Sequence, residues 1–199
     1  MDERPEVEIR APWAAGAFDD ALTATLQLYG EEVYSFLISR LPGDDVAADV
    51  FAQTCEDLWR SLPTFEWRCS MRTWCYRLAR SAAARYHRAP ANQVARRVEL
   101  SQISELAHQV RSRTMAHLRT EVKDGVHRLR ERLSADEQTL LTLRIDRDLS
   151  WQEIAQIMFD DVDDDDALKR AAARLRQSFQ KLKARLRELA EAEGLLEGG

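Results

Sequence analysis

Two Ser-x-x-Glu pairs, Ser134 with Glu137 and Ser150 with Glu153, stand sixteen residues apart, each opening a run whose apolar residues recur at helical spacing. In such a capping box the Ser hydroxyl accepts from the backbone N–H three residues on, and the Glu carboxylate accepts from the N–H of the Ser. The pattern predicts two short helices. Leu140, Leu141, Leu143 and Ile145 form the buried side of the first, Trp151, Ile154, Ala155, Ile157 and Met158 that of the second, and residues 146–149 connect them. A long basic amphipathic stretch follows, with Leu168, Leu175, Phe179, Leu182, Leu186 and Leu189 in one narrow arc. A capped helix pair followed by a basic helix is the arrangement of a helix-turn-helix with its recognition helix.

Composition sets the frame for the remainder. The 199 residues are 45% hydrophobic, with only seven Gly and five Pro, and no alternating apolar run of strand length stands out. The expected fold is therefore all-α, as two small helical domains joined by a linker. There is no apolar stretch of about 18 residues, and the acidic start with Pro5 and Pro12 is unlike a signal peptide, so a cytoplasmic protein without membrane insertion is expected. Cys55, Cys69 and Cys75 are odd in number and fit neither a disulfide framework nor a zinc site. His87, His108, His117 and His127 share no metal-ligand spacing. No metal, cofactor or catalytic group is expected: the chain has no P-loop, Gly-rich nucleotide loop or nucleophile elbow.

The net charge of −5 hides a segregation along the chain. Residues 41–57 carry five acids and no base; residues 67–88 carry six arginines and no acid; residues 160–166 hold six aspartates; residues 167–187 carry eight Lys or Arg and no acid. Basic segments suit nucleic acid and acidic ones a protein partner.

From the start of the chain, residues 1–17 read as a loose tail. Leu22, Leu26, Tyr29, Val33, Phe36 and Leu37 give a helix over 18–40 that Pro42-Gly43 ends. Asp44 or Asp45 then caps a helix over 46–62, with Val50, Phe51, Cys55 and Leu58 inward and Pro63 as its stop. On a wheel of the next helix Met71, Trp74, Cys75, Leu78, Ala79, Ala82 and Tyr86 share the core face. Arg77, Arg80 and Arg88 lie opposite, flanked by Arg72 and Tyr76, as a surface for a phosphate backbone. Arg85 falls on the apolar side, so either its stem snorkels outward or the helix frays there. Residues 91–114 read as the linker, with a short helix through 100–110, and residues 115–133 as a leading helix burying Val122, Val126, Leu129 and Leu133.

Two ordered stretches resemble one family. Leu-x-x-x-Glu from Leu133, Leu-Leu-x-Leu-Arg from Leu140 and Asp-Leu-Ser-Trp-Gln-Glu-Ile-Ala from Asp148 are similar to the promoter-reading C-terminal domain of bacterial RNA polymerase sigma factors of the extracytoplasmic-function type. Residues 65–88, FEWRCSMRTWCYRLARSAAARYHR, resemble the same family's pattern of Phe, a short loop, then Met-Arg-Thr-Trp-x-Tyr-Arg-x-Ala-Arg. The resemblance spans residues 22–88 and 120–189 and is specific because both motifs occur in order.

It implies a subunit that binds core RNA polymerase and directs promoter-specific initiation at −10 and −35 elements, stabilising melted DNA without chemistry of its own. The implied organisation is a tail (1–17), a −10 and polymerase-docking domain (18–90), a linker (91–114), a −35 helix-turn-helix domain with a lengthened turn (115–193) and a C-terminal tail (194–199). The implied docking residues are Asp45, Asp49, Gln53 and Thr54, although first-turn aspartates also suit the helix dipole. Ala52 and Gln53 stand where the family has Gln and Glu, so restoring Glu at Gln53 should tighten docking, and Thr54 is a candidate for phosphorylation by a regulatory kinase. An anti-sigma factor is a further implied partner. At the −10 element the resemblance implies Trp67, Arg68, Arg72, Tyr76, Arg77, Arg80 and Arg88; Trp67, where the family often has Gly, either stacks on a base or fills a local gap. At the −35 element it implies Arg170, Arg174, Arg176, Gln177 and Lys181. In the acidic run Asp165 or Asp166 is expected to cap the recognition helix, with the remaining aspartates able to fold over Arg170, Arg174 and Lys181. A helix-turn-helix regulator acting without polymerase, or a degenerate sigma-like interaction module, are the other readings.

Overall fold

The computed structural model describes residues 6–88, 106–112, 114, 129–130, 132–160, 162 and 164–192, and these are all-α, with no strand among them. The chain divides into two units, residues 1–119 and 120–199.

In the first unit α1 (Val7–Ala14), α2 (Phe18–Ile38), α3 (Asp44–Ser61) and α4 (Met71–Arg88) follow one another, with a 3-10 turn at Leu62–Thr64. Helix α2 is the hub, packing against α1, α3 and α4, and α3 also packs on α4. Tyr34, Phe36, Leu37, Phe51, Leu58, Leu62, Met71 and Tyr76 are the large side chains sealed between them. Ring pairs Tyr34–Phe51 (5.1 Å, tilted at 54°) and Phe36–Tyr76 (5.4 Å) tie α2 to α3 and α4, the second in the edge-on geometry that aromatic quadrupoles favour. Gly43 at φ +93 turns the chain into α3. It is also that helix's N-cap, so Asp44 and Asp45 lie in the first turn, where they favour the positive helix end, and do not cap as expected.

The expected loose tail is in part a helix: α1 buries Ile9 completely against the unit, and Glu6 just ahead of it is also buried. A stretch this short and Pro-containing cannot hold a helix by propensity, so its contacts to distant segments decide its state. Residues 106–112 are helical, in the second half of the stretch expected through 100–110; the first half lies outside the described residues. Gly30 leaves room for them, because a Cβ there would stand 2.9 Å from a methyl of Val110.

In the second unit α5 (Ala135–Leu141) runs into a π-helical turn at Thr142–Asp146, followed by α6 (Trp151–Met158) and α7 (Asp165–Ala192). Both capping boxes form as the sequence predicts, on Ser134 with Glu137 and on Ser150 with Glu153. Helix α7 packs on α5 and α6, burying Leu175, Phe179 and Leu182, and Trp151 meets Phe179 edge-on at 5.5 Å. Leu140, Leu141, Leu143 and Ile154 complete the core. Ile145 does not join them: it is 58% exposed, because the π turn carries more residues per turn than the wheel assumes and rotates position 145 outward. Most of the expected leading helix, including Val122 and Val126, lies outside the described residues, while Leu129 and Leu133 are buried.

The cap geometry yields a first prediction. Replacing Ser134 or Ser150 by Ala is expected to cost the second unit about 1 kcal/mol each, read by thermal unfolding. The Ser134 backbone N–H donating to Glu137 Oε2 at 2.8 Å is the main cause that holds the Glu137 carboxyl below the usual carboxylate range, with Arg185 Nη1 at 2.8 Å from Oε1 adding to it. A carboxyl depressed in the folded state stabilises it above the unfolded value of about 4.3 and loses that contribution as pH falls through the folded value. The unit should therefore weaken on acidification below about pH 4, and less so in a Glu137→Gln variant.

Candidate nucleic-acid interface

Helix α4 starts on Ser70, whose hydroxyl accepts from the Thr73 N–H at 3.1 Å. Its inner side carries Met71, Cys75, Tyr76, Ala79, Ala82 and Ala83. Trp74 is half-buried, its Nε1 donating to Ser61 Oγ at 2.9 Å, and the Arg77 guanidinium lies 5.6 Å above its ring. Arg77 and Arg80 are half-buried on the side away from Met71, Cys75 and Ala79, Arg88 is exposed, and Arg68 in the preceding loop is 77% exposed beside Glu66. The helix does not fray at Arg85: it continues to Arg88, and Arg85 reaches outward to pair with Asp57 of α3.

Three expected DNA contacts are placed differently. Tyr76 is fully buried against Phe36, because α2 and α3 both cover α4 and the buried arc extends to what the wheel gives as a flank. Arg72 grips Glu32 of α2 with Nε and Nη2 at 2.7 and 2.8 Å, both side chains largely shielded, a two-point ion pair that braces α4 on α2. Trp67 fills a gap within the protein: its ring lies 5.0 Å from Phe65 and 5.6 Å from Trp13. Its backbone is at φ +56, a region that costs a bulky residue roughly 1–2 kcal/mol.

On α3, Asp45, Asp49 and Gln53 fall at successive i+4 positions, and both aspartates are exposed. Asp45 lies 3.4 Å from Arg111. The Gln53 amide donates to Glu56 at 3.3 Å and Asp57 at 3.0 Å, carboxylates that also pair with Arg60 and Arg85, so a Glu in its place would give up both of these hydrogen bonds. Thr54 is buried, its hydroxyl donating to the Val50 carbonyl at 2.8 Å, which removes it as a docking contact and as a site a kinase could reach on the folded unit. Back-bonding to its own helix satisfies the hydroxyl and lets a polar residue sit inside.

In α7, Arg170, Arg174, Gln177 and Lys181 are exposed at i, i+4, i+7 and i+11, one row roughly 16 Å long. Arg176 is exposed off that row. The Arg174 guanidinium lies 5.3 Å over Phe159 of the lengthened turn, which steadies it at the base of the row. Asp164, and not Asp165 or Asp166, caps the helix, its Oδ1 accepting from Ala167 N at 2.6 Å. Asp161 and Asp163 lie outside the described residues.

Sequence reasoning missed Glu6. Its Oε1 accepts from the Tyr29 hydroxyl at 3.2 Å and the Arg72 N–H at 3.1 Å. Burial first, and the Glu6 charge next, push the Tyr29 phenol up and keep it a donor. Nothing in the local pattern marks Glu6, since both partners are distant in the chain. The thiols are not poised for reaction: burial pushes Cys69 up to about 11 and Cys55 and Cys75 further. Among the described residues no three His, Cys, Asp or Glu side chains gather as metal ligands.

Two comparisons bear on this geometry. Residues 26–92, which hold α3, α4 and most of α2, match the family pattern of sigma-70 region 2. The RNA polymerase sigma-H factor of Pseudomonas aeruginosa is 29% identical over 136 residues, covering 65% of this chain and 70% of that protein. No solved structure matches. Both comparisons point the same way: the chain is similar to bacterial RNA polymerase sigma factors, and residues 26–92 carry the region 2 pattern.

Proposed function

We propose that this chain is a sigma factor of the extracytoplasmic-function type, which docks on core RNA polymerase and directs initiation at promoters with −10 and −35 elements. The observation that carries this reading is the pairing of a sigma-70 region 2 domain with a separate unit whose two capped helices precede an exposed row of basic residues. Arg68, Arg77, Arg80 and Arg88 meet the phosphates of the melted or −10-proximal strand; such contacts hold register and supply salt-dependent affinity. Arg170, Arg174, Gln177 and Lys181 enter the major groove of the −35 element, where Arg and Gln can read base edges two hydrogen bonds at a time, and Arg176 takes a flanking phosphate. The sigma-factor family is non-enzymatic, so positioning and opening of the promoter come from binding energy alone.

Docking falls to the exposed acidic row of α3. No helix among the described residues is long and apolar enough to cross a membrane, in keeping with work beside a cytoplasmic polymerase. An Asp49→Arg variant is expected to lose core polymerase affinity by at least about tenfold in co-purification, because like charges then face each other across the contact. Undiminished affinity would move docking off this row.

A further inference from the structure

The loop at residues 65–70 joins the 3-10 turn to α4, and α1 with Glu6, its N-cap residue, contacts the turn before the loop, the loop itself and the first turn of the helix after it. Before it, in the 3-10 turn, the Leu62 carbonyl accepts from Trp13 Nε1 at 2.7 Å. In the middle, the Trp13 ring meets the Trp67 ring at 5.6 Å and 87°, and the Arg10 guanidinium lies over the Trp67 ring at 4.2 Å. Beyond it, Glu6 accepts from the N–H of Arg72, in the first turn of α4. The helix is itself held, by fully buried Ile9 and by the Tyr29 hydroxyl on Glu6.

Trp67 makes this more than packing. Its positive φ is one that Gly adopts freely and Trp does not, so the indole is retained there against backbone preference and contributes to the loop only through its contacts. Two of its three ring partners, Arg10 and Trp13, come from α1, and the third is Phe65 of the loop. Arg10 is an exposed side chain; sealing a core does not require it on that ring.

We propose that α1 is a clamp on the strand-capturing loop, with Arg10 and Trp13 as positioning residues that hold Trp67, and through it residues 66–70, in the conformation that receives single-stranded DNA. The inference rests on the −10 reading above. A preformed loop spares promoter opening the entropy of ordering it, so the clamp acts on melting and not on duplex capture. It also keeps Trp67 off the bases, leaving Arg68 and the arginines of α4 to meet the strand.

The full-length protein, Arg10→Ala, Arg10→Lys and Trp13→Leu are compared in two measurements. In the free protein, amide hydrogen exchange at residues 66–70 is expected to accelerate about threefold to tenfold in Arg10→Ala and Trp13→Leu, while α2 and α3 exchange as before, and Arg10→Lys, which keeps a cation over the indole, stays near wild type. In reconstituted holoenzyme on genomic promoter fragments selected with the wild type, permanganate reactivity of thymines should appear more slowly by a similar factor in the first two variants, with closed-complex affinity unchanged. Unchanged exchange at 66–70 overturns the clamp, as does faster exchange with undiminished opening. Should Trp13→Leu fail to fold, exposed Arg10 still decides the matter. A wild-type holoenzyme that opens no promoter sinks the −10 reading instead, while the exchange experiment continues to judge the clamp.

Discussion

Removing the charges of Arg77, Arg80 and Arg88 together by Ala substitution is expected to reduce promoter opening by about 100-fold at 0.1 M salt and to lower the slope of log affinity against log salt by about two. Each lost phosphate contact on a single strand releases about 0.7 fewer counterions, so three contacts give the slope, and the slope gives the factor at 0.1 M relative to 1 M. Arg85 supplies the internal control: it lies on the same helix but pairs with Asp57, so Arg85→Ala should leave the slope nearly unchanged. An unaltered slope in the triple variant would place the strand on another face.

The second large effect concerns the helix-turn-helix unit alone. Ile154 of α6 is wholly buried, and Ile154→Ala is expected to cost about 2–5 kcal/mol through lost transfer energy and the cavity left behind. A unit of this size has little more than roughly 5 kcal/mol of net stability, so most of it should go. Its cooperative transition should move to much lower temperature or vanish, and −35 duplex binding should fall with it. The first unit should melt as in the wild type, since its core shares no residue with the substituted site. Coincident loss of both transitions would show that the two units fold as one.

How much of this was legible depended on whether the determining chemistry was local. Both capping boxes could be read because Ser and Glu three residues apart satisfy each other within one turn. The basic row of α7 and the outer arginines of α4 could be read because helical spacing alone assigns a face. Tyr76 and Thr54 could not, since a wheel gives direction but not the width of what covers it, and α2 with α4 around α3, or α2 with α3 around α4, bury more than a half-turn. Ile145 failed for a different reason: the π turn changes the period itself. Among six neighbouring aspartates nothing local distinguishes Asp164 as the cap, and α1 owes its order to Glu6, Ile9 and Trp13 reaching residues far along the chain. The loop at residues 65–70 was legible as a motif, whereas the direction of Trp67 was set by partners in a segment that looked like a tail.

Run-off transcription with core RNA polymerase and a library of genomic promoter fragments tests the central claim most directly. The account predicts discrete transcripts that require this protein, start at a fixed distance from shared −10 and −35 sequences and disappear with the triple arginine variant. Transcription indistinguishable from core polymerase alone, across the whole library, would contradict it.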